Sequence, residues 1–75
     1  MIEELDSVVL TRDLPEYGLK PGDIGTVVLV HQRGAGFEVE FCTVEGETIA
    51  VATVHATDVR PASEQEIPHV RRMAG

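Results

Sequence analysis

The stretch Phe37-Glu38-Val39-Glu40-Phe41-Cys42-Thr43 decides how the rest of the chain is read. Its apolar residues Phe37, Val39 and Phe41 alternate with Glu38, Glu40 and Cys42. Successive side chains of a strand point to opposite faces, so this is an antiparallel strand with one buried face and one wet face. After Val44-Glu45-Gly46, a second apolar-rich run covers residues 47–54. The two runs make a hairpin, and two registers are open. With Glu45-Gly46 as a two-residue loop, Phe41 faces Ala50, Val39 faces Ala52, and Val51 lies beside Glu40 on the wet side. With Val44-Glu45-Gly46 as a three-residue loop, Phe41 pairs with Ile49 and Val39 with Val51. The second register turns the larger side chains inward and puts Gly46 where such a loop needs a left-handed residue. It is the register predicted. It leaves Glu38, Glu40, Cys42, Thr48, Ala50 and Ala52 on the outer face.

Working outward, residues 24–31 (Ile-Gly-Thr-Val-Val-Leu-Val-His) form the preceding strand. Apolar side chains on both faces make it central and bent, and Gly25 marks an expected bend or bulge. The chain between these strands turns at Arg33-Gly34-Ala35-Gly36. Residues 13–22 hold two Pro and two Gly and must be a loop. Its apolar members Leu14, Tyr17 and Leu19 are expected to cover an open end of the core, or to leave an apolar anchor at the loop tip. Residues 5–12 read as the first strand. Residues 55–57 make a tight connection, and residues 58–60 are a very short last strand that Pro61 ends. In the tail, Ser63 and Glu66 could form a capping box, but Pro68 limits any helix to about one turn. The expected organisation is a domain over residues 1–61 and a C-terminal tail over 62–75, mobile or a single short helical turn.

Composition agrees. Val, Ile and Thr make up 21 of the 75 residues, and all three fit a pleated surface. No window before residue 61 shows a helical apolar period. A domain this short buries only about 60% of the surface of its unfolded chain, so its core is thin. No apolar run approaches the ~20 residues of a spanning helix, and none opens the chain as a secretory leader would. The single cysteine, Cys42, excludes an internal disulfide and fits a reducing, cytoplasmic setting. The net charge is −7, and all of it lies in residues 1–60, which hold eleven acids and four bases. A field of that sign opposes nucleic acid and anionic lipid and favours a basic partner.

Five short antiparallel strands with a long first loop and a tiny last strand describe an all-β, small five-stranded SH3-like barrel. The run Leu19-Lys20-Pro21-Gly22-Asp23-Ile24-Gly25-Thr26-Val27, followed by Asp58-Val59-Arg60-Pro61, looks like the opening and closing elements of such barrels. It shares a Gly-x-x-Gly-x-Val turn with KOW-type domains. Residues 2–61 more closely resemble a family of short bacterial proteins known only as a domain of unknown function. The resemblance rests on residues 5–10, Leu14-Pro15, residues 22–28, residues 38–41 and residues 58–61. It brings no activity with it. In size and charge such proteins are similar to antitoxins and immunity proteins.

No catalytic constellation can be assembled from these residues. Gly22-Asp23-Ile24-Gly25 precedes no helix, so it reads as a turn into a strand and not as a phosphate loop. His31, His55 and His69 are widely spaced from one another and from Cys42, which argues against a zinc site. Cys42 lies among acids and has no neighbouring His or orienting partner to activate it, so it reads as inert. Tyr17, Phe37 and Phe41 are too few for a polyproline groove once both phenylalanines are buried. Arg12, Lys20 and Arg33 are isolated and make no basic stripe. The expected function is a non-catalytic protein-binding module without metal or cofactor, acting as a monomer or weak homo-oligomer. Its basic protein partner would meet a surface formed by Glu38, Glu40, Glu45, Glu47, Ala50, Ala52 and Tyr17. A KOW-like module associated with RNA or the ribosome is the alternative.

Overall fold

In the computed structural model, which describes residues 1–73, Phe37, Val39 and Phe41 all turn inward and are almost fully buried. Five strands form: β1 (Ser7–Leu10), β2 (Ile24–His31), β3 (Gly36–Cys42), β4 (Thr48–His55) and β5 (Val59–Pro61). They make one antiparallel sheet in the order β4-β3-β2-β1-β5. The class is all-β, as expected, with consecutive strands adjacent and β5 returning to β1. Among the described residues β4 and β5 pair on one side only and are the two edges of the sheet. No helix of the described residues is long and apolar enough to cross a membrane.

The hairpin corrects the predicted register. The loop itself is as expected: the Thr43 N–H donates to the Glu47 carbonyl at 2.8 Å, and Gly46 takes φ +90°. Cys42 still opposes Thr48, but Phe41 opposes Ala50 and Val39 opposes Ala52. Ile49 is therefore the extra residue of a β-bulge, and from there on the strand follows the other register. The reason is the far end of β4. The predicted parity would bury Thr53 and expose Val54; the bulge instead brings Val54 opposite Phe37 and leaves Thr53 in solvent. Ala50 is half-buried and Ala52 fully buried, so neither lies on the outer face as predicted.

A second bulge bends β2 between Val27 and Leu29, at Val28 and not at Gly25. The first half of β2 pairs with β1 and the second half with β3. Gly25 serves close approach instead. A Cβ there would lie 2.4 Å from Val39 Cγ1 and 2.9 Å from the Glu40 carbonyl oxygen.

The core gathers Val8, Leu10, Val27, Phe37, Val39, Phe41, Ala52, Val54 and Val59 between the two arms of this bent sheet. Leu14 and Leu19 bridge each other across the first loop, and both are buried. They cover the end of the core, and only Tyr17 of the three loop residues stays exposed, on a 3₁₀ turn over Pro15–Tyr17.

One local device recurs. Asp6, Asp23 and Asp58 each stand immediately before a strand, and each accepts the backbone N–H three residues earlier, from Glu3, Lys20 and His55, at 2.9 Å in every case. A short carboxylate closing its own turn frees the next residue to enter a ladder. The tail uses the same device with a longer side chain. The Ser63 N–H donates to Glu66, whose carboxylate also receives the Arg60 guanidinium at 2.7 Å. This makes a single turn, and no helix forms in residues 62–73.

Candidate functional site

The outer face of β2, β3 and β4 carries the predicted carboxylates. Glu38 lies between Leu29 of β2 and Thr53 of β4, and Glu40 lies between Thr26 and Val51. Glu38 Oε2 accepts a hydrogen bond from Thr53 Oγ1 at 2.7 Å and meets His31 Nε2 at 2.6 Å. These hydrogen bonds hold the Glu38 carboxyl below the usual carboxylate range. Glu40 Oε2 accepts from Thr48 Oγ1, also at 2.7 Å. Both carboxylates are thus aimed by neighbouring strands, and both are half-buried on the sheet surface.

Apolar side chains flank them. Val28 and Leu29 are exposed on β2, and Val51 on β4 is 51% exposed. Sequence reasoning missed Val51 because it placed this residue inside, and missed Val28 because a bulge is invisible in an unbroken apolar run. Glu45 and Glu47 are exposed at the hairpin tip, so they extend the same acidic surface. Ala50 and Ala52 leave it, and Tyr17 lies on a separate loop. What remains is a face of alternating carboxylate and aliphatic character.

Among the described residues no group of three His, Cys, Asp or Glu is placed to hold a metal ion. Cys42 is exposed beside Thr48. The three histidines stay apart: His31 meets Glu38, His69 meets Asp23, and His55 stands at the end of β4.

A second cluster was not anticipated. Asp23 receives Arg71 and His69 from the tail, 48 and 46 residues away. The Arg71 Nε–H donates to Oδ1 at 2.8 Å, and Nη2 donates to Oδ2 and also to the Gly18 carbonyl. Burial alone would raise the Asp23 carboxyl. The hydrogen bonds from Arg71, the Lys20 N–H and His69 outweigh burial and bring it from 3.8 to about 2.

Residues 4–61 match the family described as Domain of unknown function (DUF4926). The chain belongs to this family. The match begins just before β1 and ends at the last residue of β5, so it spans the sheet and leaves the tail outside. Among curated proteins and among solved structures, none matches the chain.

Proposed function

We propose that the DUF4926 domain of this chain is a non-catalytic protein-binding module whose outer sheet face receives a basic partner. The observation that carries this is the pairing of Glu38 and Glu40, each aimed by a cross-strand threonine, with the exposed aliphatic residues Leu29 and Val51 beside them. Aliphatic contacts supply affinity on such a face, and the carboxylates supply orientation and a fast, steered encounter. The net charge of −7 extends that attraction beyond the contact itself. Holding a partner in this way is how an antitoxin-like, immunity-like or enzyme-accessory protein acts, and the exposed Cys42 thiol suits a reducing cytoplasm.

The test is capture with the full chain at moderate salt, followed by affinity measurement on the captured protein. Glu38→Lys with Glu40→Lys should weaken binding at least about tenfold, equivalent to ~1.4 kcal/mol, while circular dichroism stays unchanged. Equal affinity of the double variant and the parent would eliminate this face. Recovery of ribosomes or RNA alone would replace the reading with the KOW-like one.

A further inference from the structure

The Asp23 cleft reaches the hairpin tip at Glu45 but is lined by neither Glu38 nor Glu40, and it has features of a site in its own right. Its carboxylate is held in part by groups that do not belong to the tail. Lys20-Pro21-Gly22-Asp23 is a tight turn with Gly22 at φ +96°, closed by the Asp23 N–H on the Lys20 carbonyl at 3.1 Å. The Lys20 N–H holds Oδ2, and β1 grips the backbone on both sides: Leu10 N–H donates to the Asp23 carbonyl, and Gly22 N–H donates to the Leu10 carbonyl. With Arg71 and His69 seated on it, the Asp23 side chain is only 11% exposed.

Two carboxylate oxygens and the Gly18 carbonyl together match the fork of a guanidinium. A lysine ammonium cannot donate along these fixed directions at once. Beside the fork runs a cleft of about 650 Å³, the size of a ligand pocket, walled by Leu19 of the first loop, by Ile24, Phe41 and Ile49 of the sheet and by the hairpin tip at Glu45. The tail forms its other wall but fills it poorly. Arg71 is seated, whereas Val70 is 89% exposed. The carboxylate and the sheet wall lie inside the family match, and the segment seated there lies beyond it.

We propose that the Asp23 cleft is an arginine-recognition site for an extended, basic segment of a partner protein, and that residues 68–73 occupy it as a tethered substitute. A tether gives even a weak intramolecular ligand an effective concentration in the millimolar range. An incoming segment therefore wins by covering Ile24 and Ile49, which stay only half-buried with the tail in place. The cleft shares the hairpin tip with the outer face but contains neither Glu38 nor Glu40, so the two readings can fail separately.

The test uses full-length protein and a labelled synthetic peptide of residues 66–73. Arg71→Ala with Arg72→Ala removes the internal competitor and should tighten peptide binding at least tenfold over the parent. Adding Asp23→Asn, which keeps an acceptor for the Lys20 N–H, should abolish that binding with the fold intact by circular dichroism. A peptide with Lys in place of Arg71 should bind about tenfold more weakly. Adding Glu38→Lys with Glu40→Lys should leave peptide binding unchanged. Equal affinity of the parent and the Arg71→Ala, Arg72→Ala protein would overturn the proposal. So would peptide binding that survives Asp23→Asn.

Discussion

Asp58 and Asp23 perform the same local task at two ends of the molecule and reach different ends. Each closes a turn on the N–H three residues back, each launches a strand, and each takes one arginine. Asp58 is buried inside the domain, and its backbone carbonyl also receives the Thr11 N–H at 2.8 Å. Its arginine, Arg12, is peripheral, with a 59% exposed side chain and a single 3.4 Å contact. Asp23 has the reverse balance: its arginine makes a fork and comes from a segment outside the matched domain. The turn device is therefore structural in both places. The partner decides whether the carboxylate is a staple within the fold or a socket for something that can leave.

Asp58→Ala should break the staple and give the largest loss. The His55 N–H would lose its acceptor beside the buried β5 junction, a cost of about 2–3 kcal/mol. Urea denaturation measures it, and a loss no greater than that of Asp23→Ala would erase the contrast between the two sites.

Acid should open the socket next. The folded Asp23 carboxyl, at about 2, lies below its ordinary value of 3.8. A depressed folded value means that its contribution is present above the ordinary value and is lost as pH falls through the window from about 4 to about 2. The loss should be roughly 1–2 kcal/mol after allowing for solvent screening. Glu66, brought to about 2 by Arg60 and the Ser63 N–H, loosens the tail in the same direction. An acid titration followed by the NMR signals of His69 and Arg71 reads this directly. Arg71→Ala should flatten the Asp23 part of the profile. Arg12→Ala should have the smallest effect, within about 0.5 kcal/mol, because an exposed single-point ion pair contributes little. A larger loss in thermal melts would make Arg12 part of the staple.

The residues also explain how far the sequence could be read. Alternation in β3 and the glycine of the three-residue loop follow from strand period and turn sterics, and both are found. The register beyond the loop is not local. Ile49 and Val51 satisfy one parity while Ala52 and Val54 satisfy the other, and only Phe37 at the far end of β3 decides between them. Gly25 looked like a bend because glycine is permissive; the feature it serves is the closeness of Val39, which is visible only after β2 and β3 pair. The outer carboxylates were legible because period two puts them there. The Asp23 cluster was not, since no spacing rule links a turn to an arginine 48 residues later.

The eight residues of β4 form a rim of the sheet that carries no Asp, Glu, Lys, Arg or Pro. Such rims ordinarily rely on a charge or a kink to keep neighbouring molecules from adding on. The bulge at Ile49 blunts only the start of the strand; beyond it the deterrent is remote, because the acidic surplus of the whole molecule keeps copies apart over a distance that shrinks as ionic strength rises. Colloidal behaviour is thus tied to the carboxylates, and conditions that neutralise or screen them expose a ready template for side-by-side growth.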